Sequence, residues 1–167
     1  MTTCQTIALN FDEEMKNTRK LLERVPLDDA HRDYKPHPKS MPLNRLATHV
    51  AELPNWVKTV LDTDTLEMEP GFKPQIAATT AELLEIFDKN VAASRAAIDK
   101  ATDESLPKEW SFKLGGKTVM SSPRGPLVRT CIDHMIHHRA QLGVYLRLND
   151  IAIPGMYGPS ADDPSMF

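Results

Sequence analysis

The chain has 167 residues, 41% hydrophobic and 26% charged, enough to bury a substantial core in one compact domain, residues 1–167. A net charge of -3 at pH 7 excludes the basic footprint of a nucleic-acid binder or of a protein drawn to anionic lipid. Two cysteines, Cys4 and Cys131, are too few for a disulfide framework, no apolar run reaches about eighteen residues, and MTTCQTIALNFDEE is unlike a secretion signal, so a soluble cytoplasmic protein is expected, with neither nucleic acid nor membrane as partner.

Helical periodicity comes first, over residues 3 to 24, where Ile7, Phe11, Met15, Thr18 and Leu22 share one stripe and Pro26 ends the pattern. A proline-bearing connector then leads to Ser40, which reads as the N-cap of a second helix over 41 to 62 with Pro42 in its first turn. Leu46, Val50, Leu53, Val57 and Leu61 align on that helix, and His49 lies beside them. Pro54 lacks an N–H and its ring crowds the carbonyl of Val50, which predicts a kink.

The segment TDTLEMEPGFKPQI reads as a connector. Thr79 and Glu82 then form a capping-box signature for a third helix over 79 to 100, carrying Leu83, Ile86, Phe87, Val91 and Ile98. WSFKL, Gly115-Gly116 and KTVM predict a small hairpin. Ser122-Pro123 reads as N-cap and first turn of the last helix, 123 to 149, and residues 150–167 as an irregular tail rich in Pro and Gly. The expected fold class is all-α: four antiparallel helices with a hairpin inserted before the last one, and long connections that can line a pocket.

The chemistry concentrates on the last helix. At ~100° per residue Leu127, Thr130, His134, His138, Gln141, Tyr145 and Leu148 fall in one stripe, which predicts inward-facing histidines. His134 and His138 are one turn of ~5.4 Å apart and can close on one ion. A third nitrogen from His49 on a neighbouring helix completes a cap of three imidazoles and leaves coordination positions free, as catalytic zinc sites do. A divalent ion held by neutral imidazoles keeps its positive charge and favours a thiolate or a hydroxide. From the residues alone, thiol transfer, hydrolysis of an amide or ester and a non-catalytic metal-binding or scaffold bundle all stay open.

LATHVAEL, the glycine-turn hairpin, HMIHHRAQLGVYLR and the closing IPGMYGPSAD together resemble the DinB/YfiT-like family over nearly the whole chain. The most specific part is H-x-x-x-H-R-x-Q-L, from His134 to Leu142. Despite a similar name, that family is distinct from the lesion-bypass DNA polymerase. The resemblance implies an up-down-down-up bundle, often a homodimer, that binds nickel or zinc through positions matching His49, His134 and His138. It also implies a metal-dependent transferase that activates a low-molecular-weight thiol of the bacillithiol type toward an electrophilic substrate; relatives include a mycothiol-dependent isomerase.

Neighbouring residues fill supporting roles around such a centre. Gln141, one turn beyond His138, can hydrogen-bond a metal-bound water or the substrate, and His137 fits an interface or a place beside the ligands better than on the metal. Tyr145 can donate to a bound group, although an inward tyrosine is usually core. Arg139 points away from the ion, toward a salt bridge. Cys131 reads as a buried small hydrophobe and Cys4 as incidental, while Glu52 and Asp133 can orient the imidazoles or simply be surface charges. Trp56 and Trp110 are expected in the core or at a pocket rim.

Overall fold

The computed structural model describes residues 1–69, 71 and 73–164. Pro70 and Phe72 of the expected connector and residues 165–167 of the expected tail lie outside them. Helix α1, Thr3–Leu22, opens with a reciprocal cap: Thr2 Oγ1 accepts the Gln5 N–H at 3.2 Å and Gln5 Oε1 accepts the Thr2 N–H at 2.9 Å. It buries Phe11, Met15, Thr18 and Leu22 as the periodicity predicts, and also Glu14 and Asn17, which the pattern places outside.

The second rod is interrupted at Pro54, where the kink is expected, and Leu53 and Pro54 keep right-handed helical backbone. α2 spans Leu43–Glu52 and α3 spans Asn55–Asp62, with Pro54 between them. Two carbonyls at the break find donors on the next helix: Ala51 O accepts from Asn90 Nδ2 at 3.0 Å and Pro54 O from Ser94 Oγ at 2.6 Å. Ser40 does not cap α2. Pro42 is its N-cap, because a proline bars the residue before it from helical backbone and the helix cannot start earlier.

α4, Thr80–Lys100, keeps half of the expected capping box. Thr79 Oγ1 accepts the Glu82 N–H at 3.1 Å, whereas the Glu82 carboxylate turns to the Ala78 N–H at 2.8 Å. A short 3-10 turn, Asp103–Ser105, leads to the hairpin of β2, Glu109–Leu114, and β3, Lys117–Pro123. Gly115 and Gly116 both have positive φ, 55° and 77°, which a left-handed two-residue turn requires. The last helix, α5, spans Arg124–Arg147 with Pro123 as N-cap; Ser122 is still in β3, paired with Trp110, so the helix starts later than expected.

The all-α expectation is corrected by a third strand. β1, Thr65–Met68, lies in the segment read as a connector and pairs in parallel with β2, Thr65 opposite Ser111. Its exposure alternates, Leu66 and Met68 half-buried and Thr65 and Glu67 exposed. Four helical rods thus carry a small three-stranded sheet at one end. The α1 rod and the α2/α3 rod each pack on both α4 and α5, around a core that includes Phe11, Leu43, Leu46, Leu83, Phe87, Trp110 and Leu142. Each such side chain contributes about 1.5–3 kcal/mol of burial.

Among the described residues the tail has no regular structure but is fastened. Arg147 pairs with Asp162, Ser160 Oγ donates to Ile153 O at 2.6 Å, and the Tyr157 hydroxyl donates to the Glu14 carboxylate at 2.8 Å. Among the described residues no helix is long and apolar enough to cross a membrane.

Candidate metal centre

α5 does not face the core as its stripe predicts. The buried side chains are Arg124, Leu127, Val128, Cys131, Ile132, Met135, Arg139, Leu142, Tyr145 and Leu146, while His134, Gln141 and Leu148 are exposed. Val128, Ile132, Met135 and Leu146 set the buried face about one residue, ~100°, from the expected stripe, which leaves His134 and His138 on the flank toward α2.

On that flank the rings of His49, His134 and His138 meet. Their centroids are 5.5 Å apart for His49 and His134, and 4.7 Å apart for both His49–His138 and His134–His138. One ligand nitrogen from each lies within 4.8 Å of the others. The Nε2 atoms of His134 and His138 are 3.0 Å apart, close to the ~2.9–3.4 Å separating two nitrogens that share one ion at ~2.0–2.1 Å. The donor set therefore fits a divalent cation. Among the described residues no fourth His, Cys, Asp or Glu joins the group.

Burial pushes the His49 imidazole down to about 4, helped by its two partner histidines and by Arg45. His134 and His138 are lowered as well, first by burial. All three rings are thus neutral near pH 7, with lone pairs to offer. Gln141 settles which nitrogen His138 presents: its Oε1 lies 2.8 Å from Nδ1, which is the donor, so Nε2 faces the cluster as an acceptor. The same amide lies 2.9 Å from His137 Nε2 through its Nε2. His137 is exposed, outside the three-nitrogen group, and acts on the site only through Gln141.

Other residues singled out in the sequence fall elsewhere. The Tyr145 hydroxyl donates to Met41 O at 3.0 Å and its ring packs edge-on against Tyr34, so Tyr145 is core rather than a donor to the centre. Glu52 pairs with Arg45 at 3.1 Å and Asp133 with Arg129 at 3.0 Å, and neither bonds a histidine. Cys131 is buried, its thiol pushed up to about 12, and Cys4, raised to about 11 by burial and Asp103, lies by the start of α1. Trp110 is fully buried with Nε1 donating to Thr63 Oγ1 at 3.1 Å, and half-buried Trp56 meets Phe112 edge-on.

Arg139 makes the interhelical salt bridge expected of it, but inside the protein. It pairs with Glu14 at 2.7 Å, the side chains 4% and 7% exposed, and donates to Glu14 O and Thr18 Oγ1 at 3.1 Å each. Nothing in the hydrophobic pattern marks Glu14. The E–R partnership across α1 and α5 becomes visible only once the two helices are packed.

A groove of about 820 Å³ opens at His49, between the outer stripe of α2/α3, β1 and α4. A second groove, about 930 Å³ between α1 and α5, includes none of the three histidines in its lining.

Helical rods that converge three imidazoles beside an open groove define a helical protein with a candidate site for a divalent metal. The chain matches the DinB family over residues 1–165 and belongs to it. It is 25% identical over 162 residues to the uncharacterized protein YrdA of Bacillus subtilis strain 168, covering 95% of this chain and 90% of that one. A DinB-like protein from Bacillus cereus ATCC 10987 has a similar fold, with a TM-score of 0.70 at 20% identity over 92% of this chain and 97% of the other. The DinB-like protein YjoA of Bacillus subtilis has a TM-score of 0.68 at 19% identity over 90% and 97%.

Proposed function

We propose that the chain is a metal-dependent transferase that joins a low-molecular-weight thiol to an electrophilic substrate, with His49, His134 and His138 holding nickel or zinc. The observation that carries this reading is the cluster itself: three neutral imidazoles, one of them exposed, with no fourth protein ligand among the described residues. A structural zinc site is usually closed by a fourth ligand, so the open arrangement favours chemistry over scaffolding. An ion held here supplies positive charge that favours the deprotonated form of a thiol.

The chain's own residues arrange that chemistry. Gln141 fixes the tautomer of His138, and half-buried His49 and His138 keep the site partly dry while exposed His134 leaves it reachable. In the transfer, sulfur bonds to the electrophilic carbon, the leaving group departs with the bonding electrons, and the thiol proton passes to solvent.

An up-down-down-up order of rods belongs to the same proposal. It is supported by contacts that run antiparallel between α1 and α4, Arg19 to Asp88 and Arg95 to Asp12, and between α2/α3 and α5, Met41 to Tyr145 and Thr63 to Arg124. So do a cytoplasmic location, supported by two free cysteines, and a homodimer, which sedimentation equilibrium tests.

The decisive experiment is metal analysis of the purified protein, then turnover of iodoacetamide with cysteine, glutathione, mycothiol or bacillithiol, each with and without chelator. Turnover that needs both thiol and metal is expected. Chelator-insensitive transfer overturns the proposal, and metal-dependent ester cleavage without thiol replaces it with the hydrolase.

A further inference from the structure

The groove at His49 has a chemical character of its own. Arg45, His49, Glu52, Trp56 and Thr59 recur along the outer stripe of α2 and α3, so the groove runs lengthwise from His49 over the Trp56 indole. Its apolar walls are Trp56, Leu66, Met68 and Ile86, all half-buried. A volume of about 820 Å³ lies within the range of small-molecule sites.

Arg45 and Lys89 stand against three carboxylates in the lining, Glu52, Glu67 and Glu69, so net charge does not favour an anion; the unused edge of Arg45 does. Arg45 spends one N–H on Glu52, NH1 to Oε2 at 3.1 Å, and its Nε/NH2 edge has no protein acceptor among the described residues. That edge is the one that matches both oxygens of a carboxylate. Lys89, at the rim, makes no ion pair among the described residues. On the acidic side, Glu67 lies on the exposed side of β1 and accepts the Gly116 N–H at 2.8 Å. Arg45 is only 19% exposed, so its free donors sit in a half-desolvated wall, where an anion gains more from them than at the surface.

We infer that this groove seats the electrophilic substrate, and that the substrate is an amphiphilic carboxylate: an apolar or aromatic body against Trp56 and β1, with its carboxylate on the Nε/NH2 edge of Arg45. The inference rests on the proposed thiol transfer for the word electrophile, but the carboxylate preference stands on the groove alone. Glu52 stays on NH1 and keeps the guanidinium in place.

The test is binding, not turnover. Trp56 is the only tryptophan left in a Trp110→Phe background, and its fluorescence reports the groove. Three probes with the same body, 4-phenylbutyrate, 4-phenyl-1-butanol and 4-phenylbutylamine, are titrated into chelator-treated and into zinc-loaded protein. The carboxylate is expected to bind most tightly in both forms and the amine least. Arg45→Gln weakens the carboxylate about tenfold, to the level of the alcohol, and leaves the alcohol unchanged. Lys89→Gln gives a smaller loss of the same sign.

Equal binding of amine and carboxylate overturns the inference, as does carboxylate binding that needs zinc and ignores Arg45→Gln. If Trp110→Phe does not fold, calorimetric titrations of the parent and of Arg45→Gln with the same three probes measure the same differences. A protein that transfers thiol to iodoacetamide but ignores phenylbutyrate sinks this inference alone. One that prefers phenylbutyrate through Arg45 without chelator-sensitive turnover keeps the groove and sinks the transferase.

Discussion

His138 and Arg139 are neighbours on α5 and belong to opposite regions of the molecule. His138 joins a cluster of neutral rings at the α2 flank, each with a lone pair to offer. Arg139 joins a closed network with Glu14, Thr18 and Tyr157 in which charge meets charge away from solvent. One region is open and polarisable by what binds it; the other is saturated. The difference teaches that adjacent residues of one helix can serve separate regions, Arg139 closing a buried ion-pair network and His138 joining rings whose nitrogens can take a cation.

The sharpest way to break the comparison is to open the closed side. Arg139→Met strands the Glu14 carboxylate in a buried position and is expected to cost about 3–5 kcal/mol in a denaturant titration. Adding Glu14→Leu removes the stranded charge and is expected to recover much of that loss, with metal content unchanged throughout. Should Arg139→Met remove metal from a protein that is still folded, the two regions are not separate.

His138→Ala attacks the other side. Metal content is expected to fall sharply while the far-UV helical signal stays intact and the metal-free stability moves by less than about 1 kcal/mol. Metal analysis equal to the parent's refutes the ligand set. A milder change, Gln141→Leu, leaves all three rings but frees the tautomer of His138, and a loss of about 10–100-fold in metal affinity is expected from competition with a chromophoric chelator.

The smallest effect is on pH dependence of the metal-free protein. His49 binds its proton near 4 when folded and near its ordinary 6.5 when unfolded, so between those values the unfolded chain holds more protons. Stability is full above about 6.5 and drains as pH falls toward 4. Melting temperature followed from pH 7 to 5 is expected to decline, and His49→Gln to flatten that decline.

The sequence pattern exposes one of these regions far better than the other. The His134–His138 spacing is local, and periodicity alone puts both rings on one face. The Glu14–Arg139 pair is long-range, and a rule that sends charges outward hides it; the expected face of α5 is off by about one residue because a stripe centred on the histidines leaves out Val128, Ile132, Met135 and Leu146. Strand β1 is hidden because four residues, TLEM, become a strand only by pairing with a segment beyond α4. The late start of α2 is a local effect, since Pro42 keeps Met41 out of helical backbone, whereas that of α5 comes from the pairing of Ser122 with Trp110 in the hairpin.

That parallel pairing also sets an order of assembly. Thr65 meets Ser111 only after the chain has passed through all of α4, so β1 must wait for a distant segment, whereas the β2–β3 turn can close on its own. The wall of the groove is therefore a late-forming element held by few bonds. Under native conditions its amides are expected to exchange with solvent deuterium sooner than those of α5, which makes this side of the groove the breathing part of an otherwise firm bundle.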